Sequence, residues 1–262
     1  MFMACLSGLF KAYDFFARKS QIIILLYHSV GRSGWEFSIS PEMFEKQISY
    51  LCRNNYKFLT AKELSDIISN KNDLARKAVI ITFDDGYQDF ATEAAPILEK
   101  YEIPAILFVH TDRSSNRLRN NLPLLAWPEI RSLTGKVEIG SHSHSHPDLK
   151  ALSDNELNRE LDLAEEVFIR ELGRKPEFMS YPGGRFSFGI AEKLRQRGYK
   201  LAFTINPGLI GKKNDPLLLP RFGVSVDTPF VEFKARVTGA SNWYEIIADL
   251  FRSKNKKKYE IN

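Results

Sequence analysis

Short apolar runs alternate along this chain with longer amphipathic stretches, and that alternation restricts the fold more than any other feature. Runs near 22–27, 79–83, 105–110, 137–140, 178–181, 200–204 and 217–220 are rich in Ile, Val, Leu and Phe. They are short and read as buried strands. Between them, apolar residues recur at helical spacing near 41–54, 61–69, 87–101, 128–134, 153–172, 187–197 and 228–238. Such alternation implies a mainly parallel sheet, closed or nearly closed. At 262 residues the chain is long enough to build one such domain around a large core. An apolar fraction of 44% gives no sign of disorder.

In folds of this class, ligands and catalysis gather at the C-terminal ends of strands. Two strand ends stand out. Ile81-Thr82-Phe83-Asp84-Asp85-Gly86-Tyr87 places adjacent carboxylates after an apolar run, with Gly86 free to turn. Ser141-His142-Ser143-His144-Ser145-His146-Pro147 holds three of the chain's five histidines. One carboxylate and two imidazoles leave positions open on a divalent cation, the layout of a catalytic rather than a structural site. The other carboxylate is then free to act on a water. Adjacent carboxylates repel, and a nearby cation relieves that repulsion. The competing readings are an Asp that caps the following helix and a surface histidine loop that binds nothing. His144 would crowd a metal shared with its neighbours two residues away, so a structural role is expected for it.

The pairing of Thr-Phe-Asp-Asp-Gly-Tyr with Gly-Ser-His-Ser-His-Ser-His-Pro-Asp-Leu resembles the polysaccharide deacetylase family, carbohydrate esterase family 4 with the NodB homology domain. The resemblance covers roughly residues 22 to 235. It implies a distorted (β/α) barrel of about seven parallel strands and a metal-dependent hydrolase removing acetyl groups, usually N-acetyl from amino sugars. On that pattern Asp85, His142 and His146 hold the metal, zinc first, with cobalt, nickel or manganese as alternatives. Asp84 is the general base. Tyr87, Tyr181 and Pro182 are expected against the substrate.

The family's third motif, Arg-x-Pro-aromatic-Gly, is altered here to Ser180-Tyr181-Pro182-Gly183-Gly184. The Gly183 N–H can still donate to an oxyanion, because that role needs no side chain. Ser180 stands where the Arg usually is, and Arg221, near a later strand end, is the expected substitute. The family's late Leu-x-His motif is missing, since no His follows His146. Tyr27-His28, at the end of the first strand, resembles instead the branch containing poly-N-acetylglucosamine de-N-acetylases, where a leading Tyr-His supplies the general acid. His28 is thus the expected acid, against the alternative of a core histidine. His110 is a second candidate at another strand end.

Three segments are expected: an amphipathic helix over 1–20, the deacetylase domain over 21–240, and a C-terminal helix with a basic tail over 241–262. Phe2, Leu6, Leu9, Phe10, Tyr13 and Phe16 recur at helical spacing; Lys11 and Asp14 interrupt the first segment, so a secretory signal is not expected there, and no run is long enough to span a bilayer. Cys5 and Cys52 fit no disulfide or metal spacing and point to a reducing compartment. Net charge is +5, with Arg252, Lys254, Lys256, Lys257 and Lys258 clustered near the end. The expectation is a cytoplasmic protein, with peripheral contact to an anionic membrane surface as an option. No aromatic–basic interleaving suggests nucleic acid. The expected partner is an N-acetylated glycan. The alternatives are an O-acetyl esterase on the same site and an inactive glycan-binding barrel.

Overall fold

The chain's strands run in order as β1 (Ile22–Tyr27), β2 (Ser29–Val30), β3 (Ser38–Ile39), β4 (Lys57–Phe58), β5 (Ala78–Phe83), β6 (Ala105–Val109), β7 (Glu138–Ser141), β8 (Phe178–Ser180), β9 (Leu201–Phe203) and β10 (Phe222–Gly223). The computed structural model describes residues 22–69, 77–114, 121–133, 135, 137–211 and 214–239. It divides into two units, Ser20–Val226 and the combination of Met1–Lys19 with Asp227–Asn262. Expectations for residues 1–20 and 241–262 therefore lie outside the described residues, apart from Ser20 as a unit boundary. In the second unit the described segment forms one helix, Phe230–Val237. No described helix is long and apolar enough to cross a membrane.

The first unit is built on an eight-stranded sheet in the order β10-β1-β5-β6-β7-β8-β9, with β4 added beside β5. Every pairing is parallel. Leu219 bridges Phe203 in parallel, and Leu25 and Leu26 pair with Phe222 and Gly223. The curled sheet's two edges thus meet through the segment Leu219–Gly223. This is the barrel that the alternation of elements implies. The expected strand over 217–220 differs in detail. Pro220 has no N–H to give a ladder, so the chain touches β9 at Leu219, crosses, and pairs with β1 only from Phe222.

β1 and β5 are buried along their whole length, which is why both read as unbroken apolar runs. Ile22, Ile24, Ile80, Ile106, Phe108, Leu201, Phe203 and Leu219 form one core cluster. On another face of the sheet, Tyr27 stacks on Phe83 and donates its hydroxyl to Gln47 of α1 (Pro41–Arg53). Among the described residues, the remaining α-helices of this unit are α2 (Ala61–Ser69), α3 (Ala95–Lys100), α4 (Trp127–Leu133), α5 (Asp154–Leu172) and α6 (Phe188–Gln196). The helix expected over 87–101 is shorter and irregular. One π turn spans Phe90–Ala94 before α3, next to Pro96, which cannot donate to the preceding turn. α5 is sharply bounded: Ser153 and Glu156 form a reciprocal N-terminal cap, and Gly173 ends it at φ 70°. That fixed helix backs the histidine loop.

Candidate metal and catalytic site

β5 ends in a tight reversal. Asp84 N–H donates to the Tyr27 carbonyl at 3.0 Å, continuing the ladder. Asp85 and Gly86 then both adopt φ 72°. For Asp85 this left-handed conformation costs about 1–3 kcal/mol. At Gly86 a side chain has no room: a Cβ would lie 2.7 Å from Arg113 Nη2 and 2.8 Å from Val109 Cγ1. The reversal turns the two carboxylates to different partners. Leu124 closes over it, bridging Tyr87, while Leu125 N–H donates to the Gly86 carbonyl.

Asp84 meets Arg221. Nη1 donates to Oδ1 at 2.8 Å and Nη2 to Oδ2 at 2.7 Å. The guanidinium is fully buried, and its other hydrogen bonds go to the Thr204 carbonyl, Thr82 Oγ1 and Ser180 Oγ. Ser180 Oγ also donates to Asp84 Oδ2 at 2.9 Å. Burial pushes the Asp84 carboxyl up, but Arg221, with His142 and His28, outweighs it and holds the group below its ordinary value.

Asp85, His142 and His146 converge. His142 Nε2 lies 3.4 Å from Asp85 Oδ1, and His146 Nε2 lies 3.5 Å from the same oxygen. The three ligand atoms are all within 4.8 Å of one another. A tetrahedron with metal–ligand bonds of about 2.0–2.2 Å has edges of roughly 3.3–3.6 Å. The donor set and its spacing therefore fit a borderline divalent cation such as zinc. His142 Nδ1 contacts the Ser180 carbonyl at 2.8 Å, a contact that fixes the ring and leaves Nε2 as the ligand atom. Burial raises the Asp85 carboxyl, but the hydrogen bond and charge of His142, with His28 and His146, hold it far below the ordinary carboxylate range. Burial lowers the His142 imidazole, yet Asp84 and Asp85 bring it above its usual value. His146, lowered by burial and by His142, falls to about 4. His144 lies outside the donor set, with Nδ1 on Thr111 Oγ1 at 2.8 Å.

A cleft of about 510 Å³ opens beside the triad, lined among others by Trp35, Asp85, Tyr87, His146, Pro182 and Gly183. Gly183 sits in a short turn at φ 58° and is exposed. Tyr181 corrects an expectation. Its ring is fully buried in a core cluster with Leu157, Leu161 and Leu194, and its hydroxyl donates to the Leu217 carbonyl at 2.9 Å. Tyr181, at the variable position of this motif, therefore packs inward, and its side chain does not line the cleft. His28 packs 5.9 Å from the Trp35 ring and 5.2 Å from Phe37, with Nδ1 buried and without a hydrogen-bond partner among the described residues. Burial holds its imidazole below the ordinary value against the pull of Asp85 and Asp84. His110 is also buried, 6.3 Å ring to ring from His146, and is lowered to about 3 by burial and Arg113. Sequence reasoning missed Trp35 as a cleft wall; a Trp within the polar turn after a strand-end Tyr-His was the available signal.

The fold and site define an α/β-barrel protein with an Asp-His-His cluster at its strand ends. A sequence profile described as polysaccharide deacetylase matches residues 71–202, half of the chain. The chain belongs to that family, and it is a hydrolase of the carbohydrate de-N-acetylase class. Among curated relatives, YxkH of Bacillus subtilis (strain 168), which bears the polysaccharide deacetylase name, is 27% identical over 79% of this chain and 73% of its own length. A poly-beta-1,6-N-acetyl-D-glucosamine N-deacetylase of Staphylococcus aureus (strain MSSA476) is 28% identical over 73% of this chain and 69% of its own. Among solved structures, the Streptococcus pyogenes deacetylase PplD in complex with acetate superposes with a TM-score of 0.74 at 25% identity, covering 83% of this chain and 98% of that one. IcaB from Ammonifex degensii superposes with a TM-score of 0.75 at 24% identity, covering 85% and 97%, and supports the fold.

Proposed function

We propose that this chain removes N-acetyl groups from amino sugars of a polysaccharide, an oligosaccharide or a lipid-linked glycan precursor, using a divalent cation, zinc first. The observation that carries the reading is the spacing of Asp85 Oδ1 from the two imidazole nitrogens, 3.4 and 3.5 Å, beside a second carboxylate anchored separately by Arg221. A cation held by Asp85, His142 and His146 would supply Lewis-acid chemistry, polarising the acetyl carbonyl and making water more acidic. Asp84, fixed by Arg221 and Ser180, takes the proton of the attacking water. Low basicity limits how strongly it pulls, while its fixed position favours the transfer. The Gly183 N–H, at the cleft edge, donates to the oxygen that gains charge as the carbonyl becomes tetrahedral. His28 gives a proton to the departing nitrogen. Its lowered pKa makes the protonated ring a stronger donor. Trp35 offers an apolar wall for a sugar face, with Tyr87 edge-on behind it at 5.3 Å. The products are acetate and a free amino sugar. The named activity of the Staphylococcus aureus relative supports a β-1,6-linked N-acetylglucosamine polymer as the first substrate to try.

The test is to load the protein with zinc and incubate it with N-acetylglucosamine oligomers of β-1,6 and β-1,4 linkage and with lipid-linked N-acetyl sugars. Acetate and the loss of acetyl mass from the glycan are followed together. Release on at least one N-acetyl substrate, abolished by a chelator, is expected. Absence of release with zinc, cobalt, nickel and manganese alike would overturn the proposal.

A further inference from the structure

A buried carboxylate stands behind the histidine loop and takes no part in the chemistry above. Glu160, on α5, is 8% exposed. Its Oε1 accepts the backbone N–H of His144 at 2.8 Å and of Ser145 at 2.6 Å. Its Oε2 accepts the Ser145 hydroxyl at 3.1 Å. These donors, all from one loop, are its hydrogen-bond partners, and no Lys or Arg among the described residues pairs with it.

The loop it grips needs holding. Ser143 and His146 sit at φ 67° and 58°. Neither is Gly, so each costs about 1–3 kcal/mol in the left-handed region. The opposite side of the loop is tied to the end of β6: Thr111 N–H donates to the Ser143 carbonyl at 3.1 Å and Asp112 N–H to the His144 carbonyl at 2.8 Å. Residues 143–145 are thus clamped between α5 and β6, and His142 and His146 project from the two ends of the clamped piece. The distance between their imidazoles follows from the loop's conformation.

We propose that Glu160 is a positioning residue for metal binding: its carboxylate fixes the 144–145 backbone and so the separation of His142 and His146. This rests on the metal reading above. The role is one of reach rather than charge. In Glu160→Gln the amide oxygen can accept both N–H groups and the amide nitrogen can donate to Ser145 Oγ. In Glu160→Asp the charge stays but the carboxylate withdraws by roughly 1.5 Å, one carbon–carbon bond. Loss of a group that orients a metal ligand weakens affinity about 10–100-fold.

The experiment measures zinc affinity of the full chain by chelator competition, with thermal unfolding of the zinc-free protein alongside. Glu160→Asp should bind zinc about 10–100-fold more weakly, and Glu160→Gln close to wild type. Wild-type affinity in the Asp variant, or equal weakening in both, overturns the assignment. Should the Asp variant fail to fold, Glu160→Ala carries the test, because it deletes both backbone contacts without leaving a buried charge behind. A several-fold loss of zinc affinity there supports the clamp; unchanged affinity overturns it. His142→Ala separates the two levels of the argument. Unchanged zinc binding in that variant removes the metal site itself. Loss there, with normal binding in Glu160→Asp, removes only the role of Glu160.

Discussion

Arg221 presents both terminal nitrogens to Asp84, one to each carboxylate oxygen, at 2.8 and 2.7 Å. Both side chains are buried, so neither charge has water to fall back on. Removing one partner of such a pair typically costs about 3–5 kcal/mol, mostly because the other charge is stranded. Arg221→Met should therefore destabilise by that amount, and much less in an Asp84→Asn background. Denaturant unfolding of the four proteins measures the coupling, expected at about 2 kcal/mol or more. Additive effects would mean that the pair does not act as a unit.

The roles of the two carboxylates separate by substitution. On the proposed roles, Asp84→Asn should keep zinc and lose most turnover, because it would remove the base and leave the three ligands in place. Asp85→Asn, His142→Ala and His146→Ala should each lose tight zinc binding and activity together. Metal content by elemental analysis, read beside acetate release, decides. Zinc lost from Asp84→Asn but retained by Asp85→Asn would reverse the assignment.

Asp89, outside the Asp-His-His cluster, gives a pH-dependent stability. Burial lifts its carboxyl from 3.8 to about 6, although the Ser29 hydroxyl donates to it. A raised pKa in the folded state favours the neutral form. The associated stability is present below about pH 4 and is lost as pH rises through 6. The size is up to about 3 kcal/mol, from roughly two units at 1.36 kcal/mol each. Asp89→Asn stays neutral, so its stability relative to wild type should improve between pH 4.5 and 7. Urea unfolding at those two values checks this, and a constant difference would contradict it.

Much of this architecture was legible in the residues, for identifiable reasons. β1 and β5 are buried on both faces, so they read as apolar blocks, and strand ends followed directly. Asp84, Asp85, His142 and His146 were visible because metal-binding residue types stood at two such ends. Arg221 was visible as a cation at a third, near the position that Ser180 leaves empty. Tyr181 misled because a motif fixes a position in the chain but not the face to which a side chain turns. Ser180 looked like a mere loss, yet its small hydroxyl both accepts from Arg221 and donates to Asp84. Glu160 carried no signal, since its partners are backbone N–H groups and a Ser hydroxyl brought near only by the packing of α5.

His28 is the last group to test. An amine leaves poorly unless it is protonated, so an amidase needs a donor near the scissile nitrogen. His28 lies at the end of β1, packed on Trp35, and in its protonated form it lowers the carboxyls of Asp84 and Asp85. His28→Ala should lower turnover on N-acetyl substrates by roughly 10²–10⁴-fold while leaving zinc content intact. Activated aryl esters should suffer far less, because their leaving groups need little protonation. The sign of the pH effect follows from the acid role. The protonated fraction falls as pH rises through the His28 pKa, so wild-type rate declines on the alkaline side and the variant should lack that decline. Equal losses on amide and ester with an unchanged profile would assign His28 to structure. The acid would then be sought at His110, which lies 6.3 Å, ring to ring, from His146 and whose buried Nε2 likewise has no partner among the described residues.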